Sequence, residues 1–142
     1  MPHDPLKTLM RLRRQAVDEG RRNLATSLDA ASAASDAVRR AELAIIKETD
    51  RASQPDGSDQ LVEAFAAWLP GARTRVAQAL ALQDRQEAEV ARRRAELTAC
   101  RAALEAIEQL RAARQSVEDE ALAKREARQI DEAASRPKID RE

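Results

Sequence analysis

Aromatic side chains are almost missing from this chain. Phe65 and Trp68 are the only two, and there is no tyrosine. With 35% of the residues charged, little is left from which to build a globular core. Cysteine is equally scarce: Cys100 stands alone, which excludes an intramolecular disulfide and fits a reducing compartment. One histidine, His3, and one cysteine cannot assemble a His/Cys metal set or a cysteine–histidine nucleophile pair. The longest apolar run, Ala64 to Leu69, falls far short of the ~20 residues that span a bilayer, and the first residues lack the apolar segment of a signal peptide. The expected location is the cytoplasm, with no direct membrane insertion.

Glycine and proline are also few, and Pro55 and Gly57 fall close together. Long uninterrupted elements follow. The 25 basic and 25 acidic residues cancel and are interspersed, which argues against a nucleic-acid partner or an anionic membrane surface and leaves proteins as the expected partners.

What is present is a seven-residue rhythm. Met10, Val17, Leu24, Ala31, Val38 and Ile45 recur without a slip, with Leu6, Arg13, Gly20, Ser27, Ala34 and Ala41 between them. That spacing keeps one helical stripe facing a partner helix. Asp4 before Pro5 suits a helix start, since the carboxylate accepts orphan N–H groups and proline at the first helical position loses no needed donor. Residues 53–58, Ser-Gln-Pro-Asp-Gly-Ser, form the one good hairpin turn. Beyond it Val62, Leu69, Val76, Gln83, Val90, Leu97 and Leu104 resume the rhythm, with Phe65, Ala72, Ala79, Gln86, Arg93, Cys100 and Ile107 as companions. The expected fold is therefore all-α: a two-helix antiparallel coiled-coil hairpin with helices at 5–52 and 59–134, the second longer, and a disordered tail at 135–142. Pro70-Gly71 predicts a kink or short break, because proline removes a backbone donor and crowds the preceding turn.

Folding back near Pro55 sets residue 5 opposite about residue 105, so helix two should run roughly 30 residues, ~45 Å, past its partner. Ile107, Leu110, Val117 and Leu122 then have nothing in their own chain to pack on. The alanine-rich seam gains little burial per turn, so a marginally stable rod is expected that firms up on its partners.

No glycine-rich phosphate loop is present, since Gly20, Gly57 and Gly71 stand apart. A two-helix rod encloses no water-excluding pocket, so no catalytic residue, metal or cofactor is expected. Arg92-Arg-Arg94 is surrounded by Glu87, Glu89 and Glu96 and reads as a solvated face. Arg11, Arg13, Arg14, Arg21 and Arg22 make the start of helix one basic, which suits an acidic protein partner. Phe65 falls on the seam and Trp68 beside it, where an indole is only partly covered, so a contact surface with Ile46 across the hairpin is expected.

The stretch Leu6-Lys-Thr-Leu-Met-Arg-Leu-Arg-Arg14, continued by Val17-Asp-Glu-Gly-Arg-Arg-Asn-Leu24, resembles the start of the FliJ family of flagellar export proteins. Phe65-Ala-Ala-Trp-Leu-Pro70 is also similar to members of that family, and the likeness in length and layout covers essentially the whole chain. The resemblance implies a non-enzymatic coiled coil of the type III export apparatus, held peripherally at the inner membrane through that apparatus. Its open end would sit in the centre of the hexameric export ATPase. It would also engage the export gate, a membrane protein, with export chaperones as further implied partners. Carried onto this chain, Leu6, Leu9, Met10, Arg13 and Arg14, with Ile107, Leu110 and Arg111, would face the ATPase ring. Ile46, Phe65 and Trp68 would lie nearer the gate. Gly20 and Pro70-Gly71 depart from an ideal coil and put its straightness in question. The competing expectations are a stalk of a virulence-type secretion system and a scaffolding coiled coil that self-associates through its overhang.

Overall fold

The computed structural model describes residues 4–137. Among them the chain is all-α: α1 covers Pro5–Ala52, 48 residues, and α2 covers Asp59–Ala134, 76 residues, joined by a turn at 53–58 into a helical hairpin. His3 and the end of the expected tail, 138–142, lie outside the described residues.

Each helix end is closed by the chemistry its residues supply. Asp4 Oδ1 accepts the Leu6 N–H at 3.0 Å and the Asp4 carbonyl accepts from Thr8, so Pro5 starts α1 without wasting a donor. At the far end the Thr49 carbonyl takes both the N–H and the hydroxyl of Ser53. The turn then tightens until Gly57 N–H donates to Gln54 O at 2.9 Å. A Cβ on Gly57 would stand 3.0 Å from that same carbonyl, which is why glycine is needed there although its φ is negative. Ser135 donates both its N–H and its hydroxyl to Asp131 O as α2 ends.

The chain divides into two compact units, Met1–Gln15 with Arg101–Glu142, and Ala16–Cys100. The second contains the turn and most of the seam. On its α1 side every expected heptad position from Val17 to Ile45 is buried or half-buried. On its α2 side the same holds from Phe65 to Cys100, and only Val62, in the first turn after the loop, is exposed. The seam's largest buried residues are Val17, Val38, Val90 and Leu97, with Ala34 and Ala72 between them. Leu97 packs flush on the α1 backbone at Gly20, where an added Cβ would stand 3.3 Å from Leu97 Cδ1. Gly20 is therefore a close-approach position of the seam and not a flaw in the helix. Ser27 is buried too, its hydroxyl satisfied by donating to Leu24 O at 2.8 Å within its own helix.

Of the kink or short break expected at Pro70-Gly71, the break does not form: α2 is helical through both residues, as the unshifted heptad count from Val62 through Leu69 to Val76 favours. Proline deprives the Ala66 carbonyl of its partner, but Ala66, Pro70 and Gly71 are all exposed, so water can satisfy it. Leu69 and Ala72 stay in the seam on either side, and Thr74 Oγ1 donates to Pro70 O at 3.1 Å.

In the first unit Leu6, Leu9 and Met10 of α1 and Leu104 and Ile107 of α2 are buried or half-buried. Coverage then stops: every described residue from Glu108 to Pro137 is exposed. What keeps this stretch helical is its own composition, rich in alanine and in charges spaced for one-turn contacts, such as Gln115 donating to Asp119 at 2.9 Å.

Candidate partner-binding surfaces

Two surfaces contain the residues singled out by the sequence, one in each unit. The first lies where α1 begins. Met10 is 5% exposed, and its Sδ takes a weak hydrogen bond from Arg111 Nη1 at 3.7 Å. Arg14 Nη2 faces Glu108 Oε1, also at 3.7 Å, a solvated pair of small energetic weight. Leu6, Leu9 and Ile107 are half-buried, while Arg13 and Leu110, the latter 48% exposed, point to solvent. All eight expected residues thus occur in one unit, in two roles. Met10 ties the helices together and offers no surface while they are paired. Arg13, Arg14, Leu110 and Arg111 are available to a partner.

The second surface lies at the turn end of the other unit. Phe65 and Trp68 stack in a tilted pair, ring centroids 6.0 Å apart at 37°, and the Arg75 guanidinium lies 5.7 Å from the Trp68 ring centroid. Placed one and two turns apart on α2, these three form an ordered aromatic–cation group with a modest cation–π gain of about 0.5–1 kcal/mol at an exposed site. Beside them is an open groove of about 320 Å³, walled by Glu48, Arg51 and Ala52 of α1 and by Leu61, Ala64, Phe65 and Trp68 of α2. Ile46 is not part of its lining and is 55% exposed. Sequence reasoning missed Glu48, Arg51 and Leu61. Arg51, Leu61 and Trp68 all occupy the position just before a heptad core residue, a flank that the stripe alone does not mark.

Two of the three arginines of the Arg92-Arg-Arg94 cluster are paired within α2. Glu89 accepts from Arg92 and from Arg93, each at 2.8 Å, and Arg93 Nη1 donates to Glu96 at 3.1 Å. These bonds let Arg93 sit at a seam position with only 31% of its side chain exposed. The Arg92 hydrogen bond, followed by the charges of Arg92 and Arg93, holds the Glu89 carboxyl below the ordinary glutamate range, while the Glu96 hydrogen bond pushes Arg93 up. A carboxylate depressed in the folded state contributes fully above its unfolded pKa and loses that contribution as pH falls through the folded value. A carboxyl NMR titration of Glu89 is therefore expected to have its midpoint below the ordinary ~4.3, and Arg92→Ala should move it upward. A midpoint indifferent to Arg92 would mean that the pair does not persist in solution.

Among the described residues no group of three or more His, Cys, Asp or Glu could hold a metal ion, and no helix is long and apolar enough to cross a membrane. Comparison with protein-family models, with curated proteins and with solved structures finds no match to this chain.

Proposed function

We propose that this chain is a non-enzymatic cytoplasmic component of a flagellar type III export apparatus, a stalk that binds and stimulates the export ATPase ring and couples it to the export gate. The observation that carries the reading is the first unit: a basic start of α1 is set beside an α2 whose residues from Glu108 onward are all exposed and include Leu110, Val117 and Leu122. A hexameric ring with an acidic, partly apolar central opening would cover both. The half-buried aromatic pair at the turn, with its groove, is the kind of anchor site through which a second protein docks, and is assigned to the gate. Export chaperones are further candidate partners. The competing readings are a stalk of a virulence-type secretion system and a scaffolding coiled coil; the twelve exposed large apolar residues among those described favour a binding role in all three.

The test is recovery of partners from the source cell on wild-type chain and on a Trp68→Ala variant. The expected result is that the wild type brings down a flagellar export ATPase and a gate protein, and that Trp68→Ala keeps the ATPase and loses the gate. Recovery of virulence-system homologues would move the stalk to that apparatus. Recovery of neither class sinks the stalk reading.

A further inference from the structure

The chain as a whole carries no net charge, yet the two sides of the hairpin in the second unit do not share its charges evenly. One side is marked by the groove at the turn, where Arg51 of α1 and Leu61, Ala64 and Trp68 of α2 line a common trough. In seven-residue steps from Arg51 the same row of α1 runs through Ala44, Ala37 and Ala30, all half-buried, and the row outside it carries Lys47, Arg40 and Ala33. In seven-residue steps from Trp68 the row of α2 runs through Arg75 and Leu82, and the row outside it, from Ala64, carries Gly71, Gln78 and Arg85. Over residues 30–51 and 61–85 these rows hold Arg40, Lys47, Arg51, Arg75 and Arg85 and no acidic residue. All of these cations are exposed, and none takes part in an ion pair among the described residues. Glu48, the one acid in the groove lining, belongs to the seam row and is half-buried. Asp36 and Asp50 lie one row further out, on the back of α1, and Asp36 is paired with Arg39 at 3.2 Å. The corresponding rows on the other side of the seam mix both signs, with Glu42, Glu63 and Asp84 beside Arg39 and Arg73.

We infer that the Trp68 side of the hairpin receives one helix of a partner protein, apolar along its middle and acidic along both edges, laid in the trough between α1 and α2. Such a helix would rest its apolar stripe on Leu61, Trp68, Leu82 and the alanine row, where small residues on α1 leave room for a third helix to approach. One acidic edge would meet Arg40 and Lys47, the other Arg75 and Arg85, with Arg51 at the turn end. A phosphate backbone would satisfy the cations but leave the apolar trough without a counterpart, so a protein helix fits both features better. The inference deepens the assignment of a second partner to the Trp68 groove and rests on that groove being a docking surface, not on the partner's being a gate.

Trp68 is the only tryptophan of the chain, so its emission reports directly on whether the trough is covered. The probe is a synthetic helical peptide of about 20 residues with leucine and alanine along one face and glutamate on both edges, titrated into the full chain. Its addition is expected to shift the Trp68 emission to the blue, with an affinity that falls as salt is raised, whereas the same peptide with lysine in place of glutamate should leave the emission unchanged. Arg40→Glu/Lys47→Glu should weaken the acidic peptide at least tenfold, and Arg39→Glu/Arg73→Glu, on the other side of the seam, should not. All four positions are exposed, so helix content should stay the same in both variants. An acidic peptide that does not bind, or that both double variants weaken equally, overturns the inference. Tighter binding of a single-stranded RNA oligonucleotide or of phosphatidylglycerol vesicles than of the acidic peptide also overturns it and assigns the cations to that class of surface. In the recovery of partners from cells, a gate protein lost on Trp68→Ala but kept on Arg40→Glu/Lys47→Glu would leave the proposed function standing and sink the acidic helix.

Discussion

Leu97→Ala is expected to lower the stability of the hairpin by about 2–3 kcal/mol, read as an earlier midpoint in urea monitored by helix circular dichroism. Leu97 is 5% exposed, the most deeply buried leucine among the described residues, and its methyl lies on the α1 backbone at Gly20. Truncation removes its apolar transfer energy and opens a gap that a two-helix seam can only partly collapse into. In a seam built largely of alanine, few other residues can make up the loss. The companion substitution, Gly20→Ala, checks the contact itself. Alanine is favoured over glycine inside a helix by about 1 kcal/mol, but the new methyl meets Leu97 Cδ1 at 3.3 Å, which must give by a few tenths of an ångström. The gain in wild type should therefore be only about half of that, and the full gain should return in the Leu97→Ala background. Equal gains in both backgrounds would mean that the two residues do not touch.

The fold was legible because a coiled-coil seam writes itself into the sequence at fixed spacing. The heptad positions read from Leu6 to Ile107 are the covered ones, apart from Arg13 and Val62. Arg13 is exposed near the start of α1, where its long charged side chain gains more from water than from a thin seam. Val62 lies in the first turn after the loop, where α1 is already ending. What escaped was the flank. Leu9, Ala16, Asn23, Ala30, Ala37 and Ala44 are also half-buried at seven-residue intervals, and small residues there let the helices approach on one side. Four alanines in that row were a visible signal, but alanine is so common in this chain that composition masks it. The continuity of α2 through Pro70 was legible in the heptad count, which runs from Val62 through Leu69 to Val76 without a phase shift, whereas how the freed Ala66 carbonyl is satisfied is a property of the folded surface.

The candidate sites were less legible for a related reason. Heptad reading says which residues face the other helix, whereas a binding surface is what remains uncovered, and that depends on where coverage stops. The arithmetic that set residue 5 opposite about residue 105 misplaced the register by about ten residues, since Met10 meets Arg111 and Arg14 meets Glu108 where it would pair them with residues near 100 and 96, although coverage of α2 does end close to the expected point, at Glu108. It could not tell that Met10 would be covered and Leu110 left open. At the turn end the aromatic pair was noticed, but Ile46 was chosen as its neighbour in place of Arg51 and Glu48, because apolar character was used where position was the better guide.

That distinction gives the sharpest test of the proposed ring contact. Arg13→Glu/Leu110→Glu changes two solvent-facing residues of the first unit and is expected to leave helix content and thermal midpoint nearly unchanged, within about 0.5 kcal/mol per site. Stimulation of the export ATPase should nevertheless fall, with affinity for the ring weakened about thirtyfold, the scale of one lost anchor at a protein interface. Met10→Glu should behave differently. It places an unpaired carboxylate in a seam position that is 5% exposed, so it should cost several kcal/mol and lose helix pairing and stimulation together. Measured side by side, the two variants separate a contact residue from a packing residue. If the folded double variant still stimulates the ATPase as the wild type does, the ring contact does not run through this face, and the arginines at the start of α1 serve solubility alone.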